Sequence, residues 1–173
     1  MNRTLIAFFS RADENYFGGA MRYVKVGNTE IVCDIMKELI PADSFRIEMK
    51  EPYSPVYMTC IDEAKKDLRE NARPQMAREL ESIDGYDTIV LAYPNYWGTV
   101  PMVVATFLES YDFSGKRILP LCTNEGSGMG KSEGDIRKFA PGADVENGLP
   151  IRGSAAADSR ADLEKWLSGY GLL

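Results

Sequence analysis

The chain has 173 residues, carries 20 Lys and Arg against 26 Asp and Glu for a formal net charge of −6, and contains no histidine. A sequence pI of about 4.8 argues against a nucleic-acid or anionic-membrane partner. The absence of histidine excludes the usual general base near neutral pH, the usual partner of a Ser or Cys nucleophile and the commonest zinc ligand.

Short apolar runs alternate along the chain with helical patterns of apolar residues, and no internal repeat is present. This alternation predicts a parallel sheet with helices on both faces, and such sheets bind ligands beyond the carboxyl ends of their strands. The predicted strands are residues 4–9, 44–49, 87–93, 116–122 and 144–151, and the predicted helices are residues 30–40, 60–72, 100–108, 136–140 and 163–170.

Several residues set the bounds of these elements or conflict with them. Pro41 ends the first helix and Pro94 ends the third strand. Thr99 is predicted to cap the third helix, with Pro101 in its first turn. Pro120 lies inside the fourth strand, where it cannot donate a ladder hydrogen bond, so it conflicts with a central position. The second strand alternates apolar and polar residues, which predicts a sheet edge.

The length predicts a single domain over residues 1–173. The apolar run at residues 5–9 is brief and is followed by charged residues, which predicts neither a signal peptide nor a membrane span, so we expect a cytoplasmic protein. Cys33, Cys60 and Cys122 are odd in number, widely spaced and set in apolar segments. We interpret them as reduced thiols of the core rather than as a disulfide or a redox pair.

The first loop ends at Gly27-Asn28-Thr29 and leads into the first predicted helix. Amides at the start of a helix and the positive end of its dipole attract an anion, and Ser10, Asn28 and Thr29 can add side-chain donors. This predicts a phosphate-binding loop. An equally supported alternative is that Asn28 only caps the helix.

The second loop, Pro94-Asn95-Tyr96-Trp97-Gly98, follows a predicted buried strand and carries two adjacent large aromatic side chains. Such side chains combine a large flat area with a polar group. They favour stacking on a planar heterocycle, or equally packing against a neighbouring helix as part of the core.

The third loop, residues 123–132, is rich in glycine and lies between a predicted strand and a helix. It differs from a P-loop because Glu125 stands where glycine is needed, and its carboxylate would oppose a triphosphate. A phosphorylated receiver domain is also disfavoured, because Ser10 and Tyr93 stand where acidic residues are required. The glycines favour a loop that turns its amides toward the polar edge of a ring, with an ordinary surface loop as the alternative.

Four motifs occur in a characteristic order: Phe-Phe-Ser-Arg at a strand end, Gly-Asn-Thr-Glu at a helix start, Tyr-Pro-Asn-Tyr-Trp-Gly, and Cys-Thr-Asn-Glu-Gly-Ser-Gly. Together they resemble the flavodoxin-like family over essentially the whole chain. The resemblance implies a three-layer α/β sandwich, with a five-stranded parallel sheet in the order 2-1-3-4-5, and FMN as the cofactor.

The resemblance assigns the phosphate of FMN to the first loop and the flavin ring to the second and third loops, where Tyr96 or Trp97 would flank the ring. It also suggests Glu125 as a negative charge near flavin N1, which would lower the potential for forming the anionic reduced flavin. The implied FMN-binding residues are Ser10, Arg11, Gly27, Asn28, Thr29, Pro94, Asn95, Tyr96, Trp97, Gly98, Thr123, Asn124, Glu125, Gly126, Ser127 and Gly128.

The chain departs from typical members in residues 11–26, which intervene between the first strand and the Gly-Asn-Thr motif. We hypothesise that this insertion is a flap over the flavin or a contact in a homodimer, and a remote surface loop is the alternative. The segment at residues 51–57 could bring Tyr53 or Tyr57 toward the flavin. A surface crossover loop is the preferred interpretation of that segment.

The resemblance implies a redox protein in which the bound flavin performs the chemistry. One version is an electron carrier whose acidic face docks a basic partner protein. A second version is an FMN-dependent reductase that takes hydride from NAD(P)H and passes it to a quinone or a similar small acceptor. A third is a non-redox binding module on the same fold.

Overall fold

The computed structural model describes residues 3–173, over which strands alternate with helices. The strands are β1 (Thr4–Phe8), β2 (Asp13–Phe17), β3 (Ala20–Val24), β4 (Asp43–Arg46), β5 (Thr88–Pro94), β6 (Arg117–Asn124), β7 (Asp144–Val145) and β8 (Leu149–Arg152). The helices are α1 (Asn28–Leu39), α2 (Tyr57–Arg69), α3 (Met102–Glu109), α4 (Ser132–Phe139) and α5 (Arg160–Gly169), with a 3₁₀ helix at Gly153–Asp158.

The main sheet is parallel and has the strand order β4-β1-β5-β6-β7, with β8 also paired to β6. If the β2–β3 hairpin is set aside and β7 and β8 are taken as one interrupted strand, this is the predicted order 2-1-3-4-5. The predicted α/β class is confirmed, and β4 lies at the sheet edge as its alternating pattern indicated.

Side chains of the central strand β5 alternate between two separate apolar layers. Ile89 and Leu91 pack into the layer that also contains residues of α3 and α4, whereas Val90 and Ala92 pack into the layer of α1 and α5. Because both faces of the sheet are covered, β5 is buried from Thr88 to Tyr93 and carries a continuous apolar run over residues 89–92. Because helices cover both faces of the sheet, the carboxyl ends of its strands remain accessible to a ligand.

Pro120 lies in a central strand, and the structure resolves the conflict that the sequence presents. The amide of Arg117 donates to the carbonyl of Asp87 at 3.0 Å, so alternate amides of β6 point toward β5. By this alternation Pro120 points the other way, into the gap between Val145, where β7 ends, and Leu149, where β8 begins. No strand there requires the hydrogen bond that proline cannot donate.

The prediction of one continuous last strand over residues 144–151 is wrong, because the strand is interrupted between β7 and β8. The amide of Gly148 donates to the Glu133 carboxylate at 2.8 Å instead of to the sheet. A Cβ at this position would lie 2.9 Å from the carbonyl oxygen of Pro120, so glycine allows the chain to pass close to β6.

The prediction that Thr99 caps the third helix is also wrong. Pro101 occupies the cap position of α3, and the Thr99 hydroxyl donates to Asp135 at 2.5 Å. The backbone of Thr99 instead forms two hydrogen bonds with Tyr96. These bonds close the second loop into a tight turn before the helix begins.

Residues 11–26 contain an antiparallel hairpin, β2–β3, whose turn is formed by Gly18 and Gly19. Both glycines have positive φ angles, 62° and 77°, which a two-residue hairpin turn of this type requires. Within residues 3–173, none of the helices is both long and apolar enough to cross a membrane.

Candidate functional site

A cavity of about 480 Å³ opens at the carboxyl ends of β1, β5 and β6. Its volume lies within the range typical of small-molecule and cofactor sites. Residues from the three predicted loops, from the hairpin, from α2 and from the 3₁₀ helix surround it. The lining residues are Arg11, Asn15, Tyr16, Asn28, Thr29, Tyr57, Cys60, Ile61, Ala64, Pro94, Asn95, Tyr96, Trp97, Gly98, Thr123, Asn124, Glu125, Ser127 and Gly153.

Most of the residues predicted from the sequence converge on this cavity, but Ser10, Gly27, Gly126 and Gly128 are not among those that line it. Ser10 accepts a hydrogen bond from the amide of Glu30 at 3.1 Å, so its hydroxyl supports the first turn of α1. At Gly27 a Cβ would lie 2.3 Å from the carbonyl oxygen of Arg11. Gly27 therefore lets the two ends of the first loop meet, and does not itself face the cavity.

The Thr29 hydroxyl is buried and lies 2.7 Å from the Thr123 hydroxyl, which is also buried. The bond joins the first turn of α1 to the end of β6. Each hydroxyl has one donor hydrogen and two acceptor positions. The Thr29 side chain therefore stabilises the fold as well as lining the cavity.

Trp97 and Tyr96 differ in exposure and in the groups they contact. Trp97 is 46% exposed, and its indole nitrogen donates to the carbonyl of Ile61 at 2.8 Å. Tyr96 packs edge-on against Phe9, with ring centroids 5.8 Å apart, and its phenol oxygen is buried. Trp97 therefore offers an exposed aromatic face at the cavity, whereas Tyr96 offers a buried hydroxyl.

Asn95 ties the second loop to the third. Its side-chain oxygen accepts from the amide of Gly98 at 2.8 Å, and its side-chain nitrogen donates to the carbonyl of Gly128 at 3.0 Å. The side chain is thus used to hold the two loops together. Its place at the cavity wall is a consequence of this structural role.

The third loop turns around Asn124, whose side-chain oxygen accepts from the amides of Gly126 at 2.9 Å and Gly128 at 3.1 Å. The two glycines have positive φ angles of 114° and 63°, so glycine is required for this turn. The expectation that these amides face a ligand is wrong, because Asn124 already accepts their hydrogens. Glu125 and Ser127 are the parts of the turn that reach the cavity.

One face of α2 forms a cavity wall that the sequence interpretation missed. Tyr57, Cys60, Ile61 and Ala64 recur at the spacing of a helical stripe and all line the cavity. This stripe was the available signal, but the same spacing is equally typical of a core-facing helix. The preferred interpretation of residues 51–57 as a surface crossover is wrong for Tyr57, while Tyr53 lines a separate cavity.

The hairpin borders the same cavity through Asn15 and Tyr16. The Glu14 carboxylate accepts from the amide of Tyr57 at 2.8 Å, and its own amide donates to the carbonyl of Pro55 at 3.3 Å. These bonds hold the hairpin against the start of α2. The insertion is therefore part of the cavity wall rather than a remote surface loop, while its role in a dimer stays a prediction.

Gly153 is a further residue that the sequence did not reveal. A Cβ at this position would lie 2.4 Å from the side-chain nitrogen of Asn28 and 2.7 Å from a carboxylate oxygen of Glu125. The missing side chain leaves space in which the side chains of the first and third loops approach each other. No local motif marks such a position, because it depends on contacts between distant segments.

Burial raises the pKa values of the Tyr57 and Tyr96 phenols and of the Cys60 thiol. The positive charge of Arg11 acts in the opposite direction on the pKa of each of these groups but does not reverse the shift. The three side chains are therefore protonated near neutral pH, so each carries a hydrogen that it can donate. Among residues 3–173, no cluster of three or more acidic, Cys or His residues could hold a metal ion.

Comparisons with known proteins agree with this architecture. Residues 20–170 match the sequence model of a family described as flavodoxin. By sequence, no curated protein matches the chain.

Solved structures share the fold at low sequence identity. A candidate flavoprotein from Bacteroides uniformis ATCC 8492 is 24% identical, with a TM-score of 0.73 and coverage of 96% of this chain and 98% of its own. One from Bacteroides eggerthii DSM 20697 is 20% identical, with a TM-score of 0.79 and full coverage of both chains. A flavoprotein from Lactobacillus acidophilus NCFM, solved in complex with FMN, is 16% identical, with a TM-score of 0.64 and coverage of 93% and 99%.

Proposed function

The chain belongs to the flavodoxin family, and from this premise we propose that it binds FMN in the 480 Å³ cavity and transfers electrons through the bound flavin. One observation carries the proposal. The cavity lies at the carboxyl ends of β1, β5 and β6, with the polar first turn of α1 at one end and the exposed indole of Trp97 at another part of its wall. This is the location at which open α/β sheets bind nucleotide cofactors.

The polar end of the cavity fits a phosphate group. Asn28 and Thr29 lie in the first turn of α1 and line the cavity. A helix start presents unpaired amides and the positive end of the helix dipole, both of which stabilise an anion. Arg11 also lines the cavity and adds a positive charge. We assign Asn28 and Thr29 to the phosphate, and Arg11 adds its positive charge to another part of the cavity wall.

The rest of the wall fits a flat, largely apolar ring. Trp97, Tyr57 and Tyr16 supply aromatic surface, and Ile61 and Ala64 supply aliphatic surface. Aromatic side chains bind planar heterocycles through offset stacking and edge contacts. The Trp97 indole is fixed by its hydrogen bond to Ile61, so it can hold a ring in one orientation.

Bound FMN supplies the capacity to accept and donate electrons, and the chain supplies binding, orientation and electrostatics. The hairpin and α2 cover one side of the cavity and reduce the access of water. Glu125 places a negative charge at the cavity wall, beside Gly153. The neutral phenols and the thiol can donate hydrogen bonds to a ligand without changing the charge of the site.

A partner protein with a basic surface is the proposed electron donor or acceptor. The net charge of −6 favours such a partner through electrostatic steering, which raises association rates at low salt. The proposal includes a cytoplasmic location, because Cys33, Cys60 and Cys122 are all free and buried. Free thiols are typical of a reducing compartment.

The purified protein tests the cofactor directly. We expect the protein to carry FMN, or to take up one equivalent when apoprotein and FMN are mixed, with a shifted flavin absorption spectrum and quenched fluorescence. A colourless protein that gains no flavin absorbance on mixing with FMN contradicts the proposal. Reduction through a basic reductase, but not by NAD(P)H alone, supports the carrier version.

A second candidate function is an FMN-dependent reductase that takes hydride from NAD(P)H and reduces a small acceptor such as a quinone. The observation that favours it is the wall formed by α2 and the hairpin, which shelters part of the cavity from solvent. Steady oxidation of NAD(P)H by the pure protein in the presence of a quinone supports the reductase. Absence of that turnover, together with reduction by a partner protein, supports the carrier.

A further inference from the structure

Tyr96 has a buried phenol oxygen with no hydrogen-bond partner. Within residues 3–173 it is the only buried side-chain nitrogen or oxygen atom in this condition. Leaving such a group unpaired costs about 1–3 kcal/mol, so native proteins retain few of them, and a ligand that completes the bond is one explanation. Tyr96 lines the 480 Å³ cavity, so this buried phenol belongs to a side chain of the cavity wall.

Two donors lie beside this phenol. The Cys60 thiol makes a weak contact with the phenol that raises the pKa of Tyr96 but does not have the geometry of a hydrogen bond, whereas the positive charge of Arg11 lowers that pKa. All three side chains line the cavity. The guanidinium is held in place by hydrogen bonds from Nε and Nη2 to the carbonyl of Glu14, at 3.2 and 3.1 Å, and from Nη2 to that of Pro55 at 3.0 Å. We call the group Arg11, Cys60 and Tyr96 the donor corner.

The donor corner also separates the main cavity from a smaller one. Arg11 and Tyr96 line both the 480 Å³ cavity and a neighbouring cavity of about 250 Å³. Two carboxylates, Asp13 and Glu48, line the smaller cavity, and Glu48 is paired with Arg46 at 3.0 Å. Glu125 is the carboxylate that lines the main cavity. A guanidinium, a neutral phenol and a neutral thiol together are complementary to a ligand oxygen.

The corner lies on the opposite face of the sheet from the start of α1. Tyr96 and Phe9 pack against the apolar layer of α3 and α4, whereas α1 packs against the other layer. The phosphate of FMN is assigned above to Asn28 and Thr29 at the start of α1. The corner is therefore available to a different part of the ligand.

We propose that the donor corner is a subsite for a ligand oxygen that carries or gains negative charge, with the Tyr96 hydroxyl as the hydrogen-bond donor and Arg11 as the compensating charge. The oxygen belongs to the flavin ring or to a small acceptor bound beside it. Tyr96 acts through its hydroxyl, and Trp97 supplies the aromatic face. This inference rests on the proposed function, which identifies the ligand of the cavity.

Tyr96→Phe removes the phenol oxygen and keeps the ring. Because the hydroxyl is unpartnered in the free protein, the substitution should leave the unfolding free energy of the apoprotein unchanged or raised in a urea titration. Binding should weaken about tenfold, the effect of losing one hydrogen bond to the ligand. Weaker FMN binding by fluorescence titration assigns the oxygen to the flavin, and weaker binding of 4-nitrophenolate, a flat phenolate anion, assigns it to a small acceptor.

Tyr93→Phe is the matched control. Tyr93 is fully buried, and its hydroxyl donates to Ser132 at 2.8 Å, away from the cavity. This variant should lose stability and keep the affinity of the wild type for both probes. Arg11→Gln should weaken binding of the same probe whose binding Tyr96→Phe weakens, because the two side chains interact with the same ligand oxygen.

Unchanged affinity of Tyr96→Phe for both FMN and 4-nitrophenolate would overturn the subsite, as would a loss of apoprotein stability equal to that of Tyr93→Phe. Failure of the proposed function has a different signature. If the wild-type apoprotein takes up no FMN, the redox proposal is lost. Binding of 4-nitrophenolate to the apoprotein, compared between wild type and Tyr96→Phe, still decides the subsite.

Discussion

The backbone amide of Gly18 donates a hydrogen bond to the carboxylate of Glu125 at 3.2 Å. The bond connects the turn of the inserted hairpin with the third loop. The hairpin is thus held at both of its ends, by Glu125 at its turn and by the contacts of Glu14 with the start of α2. Glu125 has two roles in this arrangement, as a structural acceptor and as a negative charge at the cavity.

Glu125→Gln separates these two roles. The Gln side chain keeps an oxygen that can accept from Gly18 but loses the charge. We expect the potential for forming the anionic reduced flavin to rise, because a negative charge beside the ring disfavours that state. A rise on the order of 30 mV corresponds to about 1.4 kcal/mol for a two-electron couple, and a redox titration measures it. Glu81→Gln removes an equal charge from an exposed position before β5, and an equal shift in both variants would show that Glu125 has no specific effect.

Gly153→Ala is expected to weaken FMN binding without unfolding the protein. The added methyl group would lie 2.4 Å from the Asn28 side chain and 2.7 Å from that of Glu125, so one of them must move. We expect a Kd for FMN at least about tenfold higher, the equivalent of one lost hydrogen bond. Gly134→Ala is the matched control, since nothing lies within 4 Å of its Cβ position in α4. That variant should gain about 0.5–1 kcal/mol of stability and keep the affinity of the wild type.

Asn28→Ala tests the polar end of the cavity. The side chain lines the cavity at the first turn of α1, and its loss should raise the Kd for FMN about tenfold. Riboflavin, which lacks the phosphate, should bind both proteins equally. Asn147→Ala changes an exposed asparagine outside the cavity and should have no effect on either ligand. If Asn28→Ala weakened the binding of FMN and of riboflavin equally, Asn28 would not be a phosphate-binding residue.

The pair Thr29 and Thr123 should show coupled stability. Thr29→Val and Thr123→Val each leave one buried hydroxyl unpaired, so each should cost about 1–3 kcal/mol in a urea titration of the apoprotein. The double variant removes both hydroxyls and should cost clearly less than the sum of the single costs. Additive costs would show that the hydroxyls do not depend on each other.

The three thiols should differ in reactivity toward a disulfide reagent such as DTNB. Burial raises the pKa of Cys122 to about 12 and that of Cys33 still further, and both lie in the core. Because the thiolate is the reactive form, these two should stay unmodified at pH 8 until the protein unfolds. Cys60 lines the cavity and should react slowly in the apoprotein, and bound FMN should slow it further. Mass spectrometry of digested protein identifies the modified residue, and fast labelling of Cys33 in the folded protein would contradict this assignment.

Much of the fold could be predicted because the relevant signals are local. The continuous apolar run of β5 and the helical spacing of apolar residues in α3 can each be recognised within one short segment of the sequence. Pro120 shows the limit of such signals, since its tolerance depends on a gap between β7 and β8 that only the assembled sheet creates. Thr99 shows the same limit, because its hydroxyl is taken by Asp135 from a later helix.

The sequence by itself determined the α/β class, the strand order implied by the resemblance, and the three loops that meet at the open edge of the sheet. Periodicity and loop order are properties of neighbouring residues, so they can be read along the chain. The tertiary structure decided which of those residues face the cavity, because a side chain faces a ligand only if no distant group already binds it. The Ser10 hydroxyl already accepts from the amide of Glu30, and the amide of Gly128 already donates to Asn124. The Tyr96 hydroxyl, by contrast, has no hydrogen-bond partner.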